Sequence, residues 1–151
     1  MMTKNLINFS LLLLLLISVS ACGSKLVIQN VDFANPIEMV MPADAQANVS
    51  DTRTGLSFNL NAILEKEGIT PADFESTAVR MIRNTDGLFF LTAPGFRHVF
   101  ILESGQRELK ESQVVSIPGE RLQNPAFNQR SPLIQLVDGD RSFNLSSSGL
   151  N

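Results

Sequence analysis

Apolar and polar positions alternate along much of the chain with the period of a β-strand. Ile37, Met39 and Met41 alternate with Glu38 and Val40 as far as Pro42, and Leu56, Phe58 and Leu60 alternate with Ser57, Asn59 and Asn61. Successive strand side chains point to opposite faces, so each run predicts a half-buried strand. Between them, Ala43 to Thr54 is small and polar and is expected to be a loop. Asn61 to Asp73 changes period. Asn61 is placed to cap a short helix through Glu67, with Gly68 at its left-handed end and Ile69 positioned to touch Leu64. Thr70-Pro71-Ala72-Asp73 then supplies a cap, a proline in the first turn and an acid at the third position, with Ile69 and Phe74 spaced as a hydrophobic staple. The sequence thus predicts two short helices in tandem.

From Ala78 to Ile117 the pattern is a meander. Val79 to Arg83 leads through Asn84-Thr85-Asp86-Gly87 into "LFFL"; Pro94-Gly95 turns into "FRHVFIL"; Ser104-Gly105 turns toward Val114, Val115 and Ile117. "LFFL" and "VFIL" are apolar on both faces, as in strands covered on both sides. A last hairpin pairs Leu133–Val137 with Arg141–Leu145 across Asp138-Gly139-Asp140, and residues 146–151 read as a loose tail. Seven or eight short strands with Gly and Pro turns predict a mainly β fold, a two-layer antiparallel β-sandwich of immunoglobulin-like layout carrying one or two short helices. A small closed β-barrel is the alternative.

The N-terminus follows another pattern. One charge, Lys4, precedes an apolar stretch from Leu6 to Val19, which ends in Ser20 and Ala21. Charge, apolar run and small residues in that order are the anatomy of a secretory signal peptide. A spanning helix needs about 20 apolar residues, more than this run offers. Val19-Ser20-Ala21-Cys22 resembles the lipobox of bacterial lipoproteins, a likeness confined to residues 1–22. The resemblance implies cleavage after Ala21, a diacylglyceryl thioether on Cys22 and attachment to a membrane through covalent lipid. Two or more acyl chains hold a protein on a bilayer where one binds marginally. In the same pattern Gly23, where an aspartate would favour the inner membrane, implies the outer membrane of a cell envelope, on its periplasmic face or at the cell surface. The expected organisation is a cleaved segment 1–21, the lipidated Cys22 with a tether to residue 30, a β domain over 31–145 and the tail. Eight tether residues reach no further than about 28 Å.

Composition narrows the chemistry. Cleavage removes Lys4 and no acid, so 11 bases of the original 12 face 15 acids, a formal −4 that does not suit nucleic acid. Cys22 is the single cysteine and His98 the single histidine. With Cys22 alkylated the domain has no thiol for a disulfide, a cysteine nucleophile or a Cys-ligated metal, and one histidine excludes multi-histidine sites. Tyr and Trp are absent while Phe occurs ten times. Phe lacks the polar tip with which Tyr and Trp serve binding platforms, so these rings are expected in the core. No cofactor, metal or catalytic residue is expected.

The remaining candidates each have a plainer reading. His98 shares a strand face with Phe96, Phe100 and Leu102 and reads as a buried or half-buried imidazole bonded to a neighbour. As a catalyst it would need a serine and an acid from distant segments, and no Gly-x-Ser-x-Gly elbow is present. Asp138-Gly139-Asp140 and Asp86-Gly87 offer oxygens to calcium, yet Asp-Gly is hairpin chemistry. The acid pairs Glu65/Glu67 and Glu108/Glu111 flank Lys66 and Lys110 and read as mixed-charge surface. Pro118 to Pro132, "PGERLQNPAFNQRSP", is the candidate functional loop, with Arg121, Arg130, four amides and Phe127, since structureless stretches of about 15 residues are often functional; its plainer reading is a sandwich crossover whose prolines fix an extended path and whose Leu122 and Phe127 plug the core. The sequence therefore reads as a lipid-anchored, non-enzymatic binding or accessory module with an envelope protein partner. A small serine/histidine hydrolase and a carrier of an apolar ligand are the alternatives.

Overall fold

A computed structural model describes residues 38–106 and 108–151. The expected signal segment 1–21, Cys22, the expected tether to residue 30 and the first residues of the expected domain, 31–37, lie outside the described residues. The chain runs through β1 (Met39–Pro42), β2 (Asn48–Asp51), β3 (Leu56–Asn59), α1 (Asn61–Glu67), α2 (Pro71–Phe74), β4 (Ala78–Arg83), β5 (Phe89–Thr92), β6 (His98–Ser104) and β7 (Leu109–Ser116). It continues through β8 (Pro125–Arg130), β9 (Leu133–Asp138), β10 (Arg141–Ser146) and β11 (Gly149–Leu150).

Two antiparallel sheets form a sandwich. One has the order β1-β4-β5-β6-β7 and the other β11-β10-β9-β8, while β2 and β3 make a separate hairpin. Both large sheets end in free edges, so the described strands do not close into the barrel weighed above. Their path is also simpler than an immunoglobulin layout, since neighbours within each sheet are mostly consecutive along the chain. Short turns explain this: Asn84 accepts the N–H groups of Asp86 and Leu88 on its side-chain oxygen at 3.0 and 2.9 Å, closing β4 onto β5.

The five-stranded sheet is covered on both faces. Ile82, Phe90, Val99, Ile101 and Val115 pack against Phe127, Ile134, Leu136 and Leu145 of the second sheet. On the opposite face Met41, Val79, Met81, Leu91 and Phe100 pack against Val49, Leu60, Leu64 and Phe74 from the hairpin and helices. This double burial is why "LFFL" and "VFIL" lack polar alternation. Phe74 stacks on Phe96 with centroids 5.4 Å apart, and Phe96 meets Phe100 edge-on at 6.0 Å. Among the described residues Phe74, Phe90, Phe96, Phe100 and Phe127 are buried in the core, as expected of rings without a polar tip, while Phe58, Phe89 and Phe143 are half-buried against it.

The helix ends follow local chemistry. Gly68 is left-handed at φ 67°, its N–H donates to Glu65 O at 3.1 Å, and the Ile69 N–H donates to Leu64 O at 3.0 Å, which together make a Schellman end. Thr70 accepts the Asp73 N–H on its hydroxyl at 3.3 Å. Asn61 is not the cap: Leu60 holds that position, and the Asn61 N–H donates to Asn59 Oδ1 at 2.9 Å.

Three further expectations are corrected. The stretch from Ala43 to Thr54 contains β2, whose pairing Val49↔Phe58 joins it to β3. Only Val49 carried an apolar signal there, and Asp44 sets up the strand by accepting the Asn48 N–H at 2.8 Å. The end of the chain is not loose: β11 pairs with β10, Leu145↔Leu150, and the Asn151 N–H donates to Asn144 O at 3.0 Å. The second half of Pro118 to Pro132 is not a loop but β8, paired with β9 in the register Phe127↔Leu136. Pro125 begins this edge strand, a place where a missing N–H costs little. Glu38 covers part of the same edge by accepting the Phe127 N–H at 2.7 Å, while its other oxygen holds Arg80 at 3.0 Å.

Candidate functional site

What remains irregular of the candidate functional loop is residues 117–124, between β7 and β8. Leu122 anchors it, fully buried, with its N–H donated to Phe96 O at 2.8 Å and its carbonyl accepting the Gly95 N–H at 2.7 Å. Asp138, the last residue of β9, supplies the second anchor. Its Oδ1 accepts the Gln123 and Asn124 N–H groups at 2.9 and 2.7 Å, and its Oδ2 accepts from Arg141. Burial opposes the charge on Asp138, but the Asn124 N–H, the Arg141 guanidinium and the Gln123 N–H outweigh it and hold the carboxyl below its ordinary range.

Arg141 reaches across to the segment, donating from Nη1 to Glu120 O at 3.2 Å and to Pro118 O at 3.4 Å. Gly119 sits under it at φ 93°, where a Cβ would lie 3.2 Å from Arg141 Nη1. Arg121 turns the other way, donating to Gly95 O at 2.5 Å and Glu67 O at 3.3 Å. Between the segment and the β9–β10 turn lies an open groove of about 370 Å³, walled by Pro118, Gly119, Arg121, Asn124, Gly139 and Arg141 among others. Its walls are held before any ligand arrives, so binding there would not have to order them.

Of the candidate acids and His98, only Asp138 lines this groove. Asp138 is spent on two N–H groups and an arginine, which is the work of a turn. Among the described residues no group of three or more His, Cys, Asp or Glu is arranged to hold a metal ion. Glu65 is exposed while Glu67, two residues on, has no exposed side-chain surface, so they form no dyad. Glu111 pairs with Lys66 at 2.6 Å. The chain matches no family model, no curated protein and no solved structure. Any functional reading must rest on its own geometry.

His98 is 29 % exposed, and its Nδ1 lies 2.9 Å from Glu67 Oε1. The same carboxylate accepts the His98 N–H at 3.1 Å and the Arg97 N–H at 2.9 Å, and Arg121 Nη1 stands 3.8 Å from its other oxygen. Glu67 therefore ties α1 to the start of β6 and, through Arg121, to the groove segment. Sequence reading classed Glu67 as surface. Its spacing of three from the buried Leu64 was the available sign that it shares the helix's inner face.

Proposed function

We propose that this protein is a lipid-anchored lipoprotein of the bacterial cell envelope whose β domain serves as a binding or accessory module near the membrane, taking an envelope protein partner at the groove. The observation that carries the address is Val19-Ser20-Ala21-Cys22 at the end of the apolar run. Lipid on Cys22 supplies membrane attachment, so the β domain needs no amphipathic surface of its own. Glu38, the first described residue, follows Cys22 by sixteen positions, so it stays within about 56 Å of the anchor. The binding role is supported by the preformed groove, whose neighbouring arginines and acids balance and so favour a polar partner over nucleic acid.

Fractionation of cells expressing the full chain tests both parts. The wild type is expected in the membrane fraction, with globomycin causing the precursor to accumulate and Cys22→Ala moving the protein out of that fraction. Photo-cross-linking from a diazirine-bearing residue substituted at Asn124 is expected to capture an envelope protein. Wild-type protein recovered soluble and unlipidated would overturn the address; a β domain that captures no partner from Asn124 would overturn the groove's role.

A further inference from the structure

Glu67 and His98 are arranged like the acid and base of a hydrolytic triad, and the β6–β7 register brings a serine beside them. Glu67 Oε1 takes Nδ1 of the ring at 2.9 Å, which leaves Nε2 as the basic nitrogen of neutral His98. The carboxylate is itself fixed, since it also accepts the Arg97 and His98 N–H groups. His98 lies directly opposite Ser116. The Ile117 N–H donates to Arg97 O at 2.9 Å, which makes 97/117 the hydrogen-bonded pair and 98/116 the non-hydrogen-bonded one. Side chains of such a pair stand on one face with Cβ atoms about 4.5–5.5 Å apart. Ser116 is exposed, so its hydroxyl is open to a ligand arriving from solvent.

We infer that Ser116 and His98, with Glu67 positioning the imidazole, form a serine nucleophile and general base for acyl esters presented to the exposed face of β7 at Ser116. In the first step Ser116 Oγ bonds to the acyl carbon while His98 Nε2 takes the hydroxyl proton. The ester's C–O bond then breaks and His98 returns that proton to the departing alcohol. Water, deprotonated by His98, attacks the acyl-serine; the acid leaves and Ser116 recovers its proton. Nothing is oxidised or reduced. In the described structure Ser116 and His98 share no hydrogen bond, a looseness that catalytic pairs commonly show before substrate binds. The inference goes beyond the proposed module and does not depend on lipidation or on a protein partner.

Full-length protein purified in mild detergent is treated with a fluorophosphonate, whose phosphorus accepts the serine oxygen as fluoride leaves, and the adduct is located by tandem mass spectrometry. The expected result is an adduct on Ser116, absent in Ser116→Ala, with labelling about 100-fold slower in His98→Gln, the lower end of what a general base contributes. Glu67→Gln is expected to move the pH profile of the labelling rate while circular dichroism shows a folded domain. If Glu67→Gln fails to fold, the Ser116 and His98 variants decide alone. No adduct on Ser116, or one that forms equally fast in His98→Gln, would overturn the inference.

Discussion

Replacing Asp138 with alanine removes the one acceptor that serves three donors at the rim of the groove. The Gln123 and Asn124 N–H groups and the Arg141 guanidinium all end on this carboxylate, whose side chain is 3 % exposed. Each hydrogen bond to a charged group contributes about 1.5–3 kcal/mol, but the three share one partner and do not add. Breaking a buried pair by deleting one member costs about 3–5 kcal/mol. Arg141 is one-third exposed and can turn to water, so we take the lower end, about 3 kcal/mol. For a domain of this size that lowers Tm by roughly 10 °C. The carboxyl is held below its ordinary range, so its contribution is present above the unfolded-state pKa of about 3.9 and fades as pH falls through the folded-state value. Calorimetry at pH 7 is expected to show the full gap between wild type and Asp138→Ala, and calorimetry near pH 2.5 a clearly smaller one. A variant within 2 °C of wild type at pH 7, or a gap that does not narrow in acid, would refute the reasoning.

Gly119→Ala places a Cβ at φ 93° and 3.2 Å from Arg141 Nη1; a loss of about 1–3 kcal/mol is expected in urea unfolding, with m unchanged. Glu38→Ala frees the Phe127 N–H on the edge of β8 and leaves Arg80 without its carboxylate; light scattering is expected to show concentration-dependent association that the wild type lacks. Phe100→Ala, at a fully buried ring between the sheet and the helix layer, is expected to cost about 3–5 kcal/mol by chemical denaturation.

The sequence was most legible where signals were local and repeated. Thr70 and Gly68 specify their helix ends through hydrogen bonds spanning a few positions, Pro71 marks a helix start through its fixed φ, and the doubly apolar "LFFL" and "VFIL" suit a covered sheet. β2 was hidden because one apolar residue, Val49, is too little to establish a period, and the strand owes its place to pairing with β3. β8 was hidden by Pro125 at its start and Pro132 just beyond it, which mark a loop until an edge position is allowed for. β11 has two residues, below the length at which alternation means anything. For the candidate site, Pro118–Asn124 stood out by composition, but its holders did not. Asp138 and Arg141 come from a hairpin that reads as an ordinary turn, and Glu67 reaches His98 over 31 residues of chain. Such pairings depend on how sheets and helices meet, which no window of the sequence contains. Arg121 is a case of both kinds: its presence in the segment was conspicuous, while its partners, the carbonyls of Gly95 and Glu67, became visible only in the fold.

The central claim is that this β domain is held at a membrane through lipid on Cys22. Its most direct test is mass spectrometry of the N-terminal peptide from protein purified out of the membrane fraction of a bacterium with intact lipoprotein processing. The account predicts a peptide that starts at Cys22 and carries a diacylglyceryl thioether, with no peptide from residues 1–21. A peptide that runs unbroken through Ala21 and an unmodified Cys22 would contradict it.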